Sequence, residues 1–223
     1  MGQELGRGPL SEPGEDVEVR PIENRVALLI LQHPQEQDKE LGTARLTARH
    51  FTNAVFKIGL SWPSLSKALG READPRRWAT LYLGSVSPAL LAPGREILVL
   101  DAKGKAIADQ ESALQDIEGI ILLDGTWSQA KTLWWRNAWL LKSKRVVLAS
   151  KRPSLYGPLR REPRRESLST LESAAILLAR LEGNPGIEAA LTTSFKRMLE
   201  RYRAAQPDIV KPRPRRLKKP LRR

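Results

Sequence analysis

Short apolar runs separated by amphipathic segments make up most of the chain. Five runs have the length of β-strands and are rich in Val, Ile and Leu: RVALLILQ (25–32), ATLYLG (79–84), EILVLD (96–101), GIILLD (119–124) and RVVLAS (145–150). Runs that are apolar at consecutive positions are typical of strands buried on both faces of a sheet. The segments between them can hold helices, so the pattern predicts an α/β fold with a mainly parallel sheet.

Two helices are predicted directly after strands, over 43–55 and 128–141, the second with Ser128 as its N-cap. Residues three or four apart share a helix face. On the second helix one such face would consist of Lys131, Trp135 and Trp139, and the other of Ala130, Trp134, Ala138 and Leu141. Core packing is the ordinary role of such tryptophans. An aromatic face beside a cation also suits stacking on nucleic-acid bases.

Two further helices are predicted near the C-terminal end, over 169–183 and from Asn184 onward. The first begins with Ser169 and Glu172 at the spacing of a capping box. Asn184 is a good N-cap for the second, and Pro185 occupies the first helical position, where its missing N–H is not needed. We expect these two helices to pack as a pair against the sheet.

In an open α/β sheet, ligands bind at the carboxyl ends of the strands. Four segments are expected there: QHPQE (32–36), LGSVSP (83–88), DGTW (124–127) and SKRPSLYGPLRREP (150–163). His33 in the first of them could be a base or a metal ligand. A lone histidine before proline is more often a hydrogen-bonded structural residue, and we interpret it so.

Asp124 follows an apolar strand and precedes a glycine turn at the start of a helix. A helix N-terminus favours a negatively charged side chain, and an ionised carboxylate in such a place can act as a general base. The same aspartate could instead cap the helix through backbone N–H groups, which Asp does well. The four residues DGTW do not decide between these two roles.

Two arginines, Arg160 and Arg161, lie in the loop YGPLRREP (156–163). Arginine offers a forked, permanently charged set of donors, so this loop is a candidate site for a carboxylate or a phosphate. A solvated loop without a ligand is the alternative. Ser169 and Glu172 likewise need no function beyond the capping box.

The composition narrows the class of protein. The chain has 223 residues, of which 41% are hydrophobic, and this is enough for one domain with a sizeable core. There are no cysteines and two histidines, which excludes disulfides, thiol catalysis and cysteine-ligated zinc, and we expect no metal. Neither a signal-peptide pattern nor an apolar run of membrane-spanning length is present, so we expect a cytoplasmic protein with no membrane contact.

Charge divides the chain into three parts. Residues 1–24 are acidic and rich in Gly and Pro, and we expect them to be disordered; 25–205 would form the folded domain and 206–223 a basic tail. The net charge is +13, and residues 211–223 supply eight of these charges with no acidic residue. A polyanion such as nucleic acid is therefore the leading class of partner. A solvated, disordered tail is the alternative.

Together these segments resemble the DTW domain family, named for an Asp-x-Thr-Trp motif. In this chain the motif reads Asp124, Gly125, Thr126 and Trp127, within LLDGTWSQAK (122–131). Four further segments match the family in order: LQHPQE (31–36), LGTARL (41–46), YGPLRREP (156–163) and LSTLESAA (168–175). The resemblance implies a SPOUT-like fold, a mainly parallel sheet flanked by helices with a trefoil knot at the cofactor site, although chain knots are rare in general.

The resemblance also implies an activity, the transfer of the 3-amino-3-carboxypropyl group of S-adenosylmethionine to N3 of a tRNA uridine. Asp124 would be the general base, and Trp127 would shape the reaction pocket beside it. The cofactor-binding residues would be Leu83, Gly84, Ser85, Thr126, Leu159, Ser169 and Thr170. The residues that bind the substrate, or a carboxylate or phosphate, would be Arg160, Arg161, Lys131 and Tyr156.

Two features depart from the family pattern. Many members have an N-terminal cysteine cluster that is thought to bind zinc, and this chain has no cysteine. The basic tail is not among the family motifs, and we interpret it as an additional tRNA anchor. Two other functions remain open, a SPOUT-like RNA methyltransferase and an RNA-binding protein without catalysis. No obligatory protein partner is inferred.

Overall fold

A computed structural model describes residues 17–81, 96–148, 153–159 and 168–206. Six strands form one sheet: β1 (Ala27–Gln32), β2 (Ala54–Ile58), β3 (Trp78–Leu81), β4 (Ile97–Leu100), β5 (Gly119–Asp124) and β6 (Lys144–Leu148). Their order across the sheet is β2-β1-β5-β3-β6-β4. The strand β4 is antiparallel to β6, and all the other pairs are parallel. The predicted α/β fold with a mainly parallel sheet is confirmed.

In the described ranges six α-helices flank the sheet: α1 (Ala44–Arg49), α2 (Leu65–Leu69), α3 (Gln110–Gln115), α4 (Trp127–Arg136), α5 (Thr170–Leu181) and α6 (Pro185–Ala205). Short 3-10 turns cover Pro34–Glu36, Pro75–Arg77, Ala138–Lys142 and Gly157–Leu159. Both C-terminal helices begin as predicted: the Ser169 hydroxyl and the Asn184 amide oxygen cap them, and Pro185 lies in the first turn of α6. No helix in the described ranges is long and apolar enough to span a membrane.

The core has an apolar layer on each face of the sheet, because successive strand residues point to opposite sides. Leu28, Ile30, Ile120 and Leu122 point to the layer that also contains side chains of α5 and α6. Leu29, Leu31, Ile121 and Leu123 point to the other layer, with side chains of α2 and α4. The period of two places Gln32 and Asp124, at the ends of β1 and β5, on the α5 side.

The predicted helix over 43–55 is wrong in its second half, because α1 ends at Arg49 and β2 begins at Ala54. The side chain of Asn24 shapes the turn between them. Its Oδ1 accepts a hydrogen bond from the Asn53 N–H at 2.9 Å, and its Nδ2 donates to the Asn53 carbonyl at 3.2 Å. The chain then pairs with β1 instead of continuing the helix.

Residues 17–24, which the composition assigned to the disordered segment, lie against the domain. Val17 is buried, and its carbonyl accepts a hydrogen bond from Arg49 Nη2 at 3.1 Å. The Ile22 N–H donates to the His50 carbonyl at 2.8 Å. An apolar side chain and backbone pairing therefore order this stretch, although its composition is polar.

The helix predicted over 128–141 ends early, at Arg136. Asn137 is fully buried there, and its Nδ2 donates to the Leu133 carbonyl at 2.8 Å and to the Leu60 carbonyl at 3.0 Å. The chain turns inward after it, so Trp139 is buried, and its indole N–H donates to the Trp62 carbonyl at 2.9 Å. Trp139 therefore packs in the core. The helix face that was predicted to consist of Lys131, Trp135 and Trp139 does not extend to Trp139.

Candidate active site

Asp124 lies at the carboxyl end of β5 with a partly exposed side chain. Its Oδ2 accepts a hydrogen bond from Gln32 Nε2 at 2.8 Å, and its Oδ1 accepts one from the Thr170 hydroxyl. Each carboxylate oxygen has a second lone-pair direction. The carboxylate is thus held in one orientation and retains the capacity to accept a proton or a further hydrogen bond.

Strand register explains why Gln32 reaches Asp124. These two residues are direct partners at the ends of the parallel strands β1 and β5. The Asp124 carbonyl also accepts a hydrogen bond from the His33 N–H at 3.0 Å. His33 itself caps the turn Pro34–Glu36, since its Nδ1 accepts from the Gln35 N–H at 3.3 Å. This hydrogen bond agrees with the structural interpretation of His33.

The cap of α4 bears on one of the two roles considered for Asp124, that of helix cap. Thr126 is the N-cap: its hydroxyl accepts from the Gln129 N–H at 3.4 Å, and Gln129 Oε1 accepts from the Thr126 N–H at 2.6 Å. This capping box replaces the predicted N-cap at Ser128. Because Thr126 caps the helix and Asp124 is held by Gln32 and Thr170, the aspartate does not serve as the cap.

The N-terminus of α5 brings a second predicted motif to Asp124. Ser169 and Glu172 form the predicted capping box, and Thr170 is the first helical residue, with its hydroxyl on Asp124. Glu172 also binds a neighbouring loop, because its carboxylate accepts from the Ser154 hydroxyl at 2.7 Å and from the Leu155 N–H at 2.8 Å. The capping box therefore fixes the loop at 154–155 next to the site.

Trp127 and Lys131 lie on the first turns of α4, beyond the motif turn. The Trp127 side chain is 43% exposed, and Lys131 Nζ lies 5.8 Å from the centre of its indole ring. This distance is within the range of a cation–π contact. Trp127 therefore presents aromatic surface to solvent, three residues after Asp124.

Tyr156 requires a correction, because it was expected to bind substrate. The residue is 1% exposed, and its hydroxyl donates to the Leu41 carbonyl at 2.6 Å. Its ring packs edge-on against the Phe195 ring, with 4.9 Å between the ring centres. Tyr156 is thus a core residue that anchors its loop. Leu159, expected in the cofactor pocket, is partly buried against the same core.

Five of the expected site residues lie outside the described residues: Leu83, Gly84, Ser85, Arg160 and Arg161. Their roles stay predictions. Gln32 was missed as a partner of Asp124, although the segment that contains it was placed at a strand end. Within the described part of the chain, no group of three or more His, Asp or Glu side chains could hold a metal ion.

The model of the DTW domain matches residues 16–203. The chain belongs to the DTW domain family. The DTW motif therefore begins at the last residue of β5, Asp124, passes through Thr126 and ends at the first residue of α4, Trp127. No solved structure matches the chain significantly.

Curated relatives of this DTW protein carry the name tRNA-uridine aminocarboxypropyltransferase 2. The protein of Mus musculus is 34% identical over 175 residues, covering 78% of this chain and 53% of the relative. That of Macaca fascicularis is 32% identical over 177 residues, covering 77% and 53%. That of Drosophila melanogaster is 31% identical over 167 residues, covering 74% and 59%. The aligned part thus spans little more than half of each relative.

Proposed function

We propose that this protein transfers the 3-amino-3-carboxypropyl group of S-adenosylmethionine to N3 of a tRNA uridine. Family membership and the names of three relatives support the reaction class. The observation that carries the proposal is the environment of the Asp124 side chain. It is partly exposed, oriented by Gln32 and Thr170, and not used to cap α4.

In this proposal Asp124 accepts the proton from uridine N3 as the new carbon–nitrogen bond forms. A positioned general base typically contributes about 10²- to 10⁴-fold to the rate. Gln32 and Thr170 act as positioning residues, because each fixes one oxygen of the carboxylate. Proper alignment of the reacting groups supplies a further part of the rate.

S-adenosylmethionine supplies an electrophilic γ-carbon attached to a sulfonium, which leaves with the bonding electron pair as methylthioadenosine. The partly exposed carboxylate of Asp124 suits a cationic co-substrate. Thr126, Trp127 and Thr170 would line the pocket. Leu83 to Ser85 would complete it, and Arg160 or Arg161 would hold either the carboxylate of the cofactor or an RNA phosphate. The trefoil knot and the SPOUT-like fold are part of the same proposal and rest on the family resemblance.

The test is mass spectrometry of nucleosides from unmodified tRNA that has been incubated with the protein and S-adenosylmethionine. We expect a uridine heavier by one aminocarboxypropyl group, together with methylthioadenosine. Asp124→Asn should lower the rate by about 10²-fold or more. Ser128→Ala is a matched control, because Ser128 lies in the first turn of α4 but does not cap it.

The same experiment separates the alternatives. A methylated nucleoside together with adenosylhomocysteine would assign the protein to the methyltransferases. Tight tRNA binding with no modified nucleoside, unaffected by Asp124→Asn, would indicate an RNA-binding protein without this catalysis. Either outcome would overturn the proposed transfer.

A further inference from the structure

Helix α4 carries an exposed aromatic stripe that the reaction at Asp124 does not explain. The stripe consists of Trp127, Lys131 and Trp135, spaced four residues apart along one side of the helix. Trp135 is 71% exposed and is the most exposed large hydrophobic side chain of the described residues. Other tryptophans serve packing, among them Trp78 and Trp139, which are buried. Trp135 is therefore not a core residue.

The stripe leads directly away from the candidate active site. Trp127 follows Asp124 by three residues, and Trp135 lies eight residues further along the helix, about 12 Å along its axis. That distance allows a nucleotide at the site to lie near Trp127 while a neighbouring nucleotide reaches the ring of Trp135. The stripe thus continues the active site along α4 and is not a separate patch.

The helix holds the stripe rigidly at both ends. Its N-terminus is fixed by the capping box of Thr126 and Gln129. At its C-terminus the Ser61 hydroxyl donates to the Arg136 carbonyl at 2.9 Å, and the Trp62 N–H donates to Asn137 Oδ1 at 2.8 Å. Trp135 therefore projects from a fixed backbone, so little conformational entropy is lost when a flat group stacks on it.

The charge around the stripe favours a polyanion over an apolar protein surface. From Gly125 to Leu148, a continuous stretch of the described chain, the sequence has five Lys or Arg residues and no acidic residue. Two of them, Lys131 and Arg136, are exposed on α4 itself. Aromatic rings interleaved with cations are the combination that binds single-stranded nucleic acid, because the bases stack while the cations contact phosphates.

We propose that the base of an unpaired nucleotide flanking the target uridine stacks on Trp135. In this arrangement Lys131 contacts a backbone phosphate between that nucleotide and the uridine. The inference rests on the proposed function, because the strand concerned is the RNA that presents the uridine to Asp124. The contact itself requires no chemical step. It can therefore be measured in the absence of S-adenosylmethionine.

The test compares Trp135→Leu with Trp135→Phe, since both side chains are apolar and only phenylalanine can stack. Loss of stacking on one base should raise Kd and KM for an unmodified tRNA transcript about 5- to 100-fold in Trp135→Leu, with kcat nearly unchanged. Trp135→Phe should retain most of the affinity. Because Trp135 is exposed, neither change should alter the thermal midpoint appreciably.

Salt dependence provides the second readout. Lys131→Gln should reduce the slope of log Kd against log salt concentration by about one unit, as expected for one lost phosphate contact. Trp135→Leu should weaken binding without changing this slope, because stacking releases no counterion. A smaller slope in Trp135→Leu would contradict the assignment of stacking to this side chain.

Several outcomes decide the inference. If the wild type modifies uridine but Trp135→Leu matches its Kd and KM, this inference fails and the proposed function survives. If the wild type modifies nothing but Trp135→Leu weakens tRNA binding, the proposed function fails and the RNA contact stands. If Trp135→Leu changes only self-association in sedimentation, the stripe is a protein interface and the inference is overturned.

Discussion

At the scale of single residues, Asp124 depends on side chains that are distant in sequence. Gln32 is 92 positions before it and Thr170 is 46 positions after it. Together they orient the carboxylate from two sides, from the neighbouring strand and from the N-terminus of α5. In the proposed reaction the general base must meet a proton within hydrogen-bonding distance and is therefore sensitive to this orientation, so we expect the two partners to influence rate more than binding.

Thr170→Val keeps the shape of the side chain and removes the hydroxyl that donates to Asp124. A hydrogen bond to a charged group contributes about 1.5 to 3 kcal/mol, so we expect kcat to fall about 10- to 100-fold with KM little changed. The measurement is steady-state kinetics with unmodified tRNA and S-adenosylmethionine.

Thr170→Ser is the matched control, because serine retains the donor and should keep most of the activity. Equal loss in Thr170→Ser and Thr170→Val would show that the methyl group matters and the hydrogen bond does not. A rise in KM for S-adenosylmethionine without a fall in kcat would move Thr170 from a positioning role to cofactor binding.

At the scale of helices and strands, sequence patterns predicted the buried elements best. β1 and β5 are apolar at every position but the last, and they are buried accordingly. β2 was missed because it is an edge strand with only partly buried or exposed residues, and its pairing with β1 is not visible locally. The capping box at Thr126 and Gln129 was readable from the sequence, but Ser128 offered a competing cap.

In the candidate site, too, features set by neighbouring residues could be predicted, whereas contacts between residues far apart in sequence could not. Asp124 and the turn after β5 could be predicted because a polar residue ends an apolar run. The hydrogen bond from Gln32 could not, since it depends on the register between β1 and β5. Tyr156 was misassigned because a loop sequence does not show that the ring is packed on Phe195 in α6.

Glu172 gives a prediction about an element boundary. Its carboxylate accepts hydrogen bonds from the Ser154 hydroxyl, the Leu155 N–H and the Ser169 N–H. Glu172→Gln keeps the length of the side chain but replaces one acceptor oxygen by a donor. We expect a loss of about 1 to 3 kcal/mol in the free energy of unfolding and faster hydrogen exchange at the Leu155 amide.

Ser169→Ala is the control for this boundary, because it removes the cap of α5 and leaves the Glu172 carboxylate in place. It should cost about 1 kcal/mol without accelerating exchange at Leu155. If both variants expose the Leu155 amide equally, the loop is held by the helix end as a whole and not by the Glu172 carboxylate.

At the scale of the whole molecule, the parallel sheet assembles the candidate site and the net charge favours a polyanionic partner. Because β1 and β5 are parallel neighbours, their carboxyl ends bring Gln32 and Asp124 together at one edge. The net charge of +13 favours a polyanionic partner, and residues 211–223, which lie outside the described range, carry eight of these charges. The tail as a tRNA anchor stays a prediction, whereas Lys131 and Arg136 are exposed on α4, the helix that begins directly after the DTW turn.

The stability of the whole fold should depend on pH through His50. His50 is 3% exposed, and neither ring nitrogen has a hydrogen-bond partner among the described residues. Burial, and then the charge of Arg49, lower its pKa from 6.5 to about 4. Below about pH 6.5 the unfolded chain therefore binds a proton at His50 that the folded protein does not. The contribution of His50 to the free energy of unfolding is therefore fully present above that pH and is lost on acidification towards pH 4.

This difference can be isolated by urea unfolding at pH 7.5 and pH 5.0. The pKa of 6.5 in the unfolded chain implies that His50 removes about 2 kcal/mol of stability between these two conditions. His50→Leu should have a pH dependence weaker by about that amount, because carboxylates and all other groups are unchanged. His33→Gln is the matched control, since the chain has only two histidines and His33 is not fully buried. If His50→Leu loses as much stability on acidification as the wild type, the acid sensitivity of the fold arises elsewhere, and the neutral form of buried His50 does not govern it.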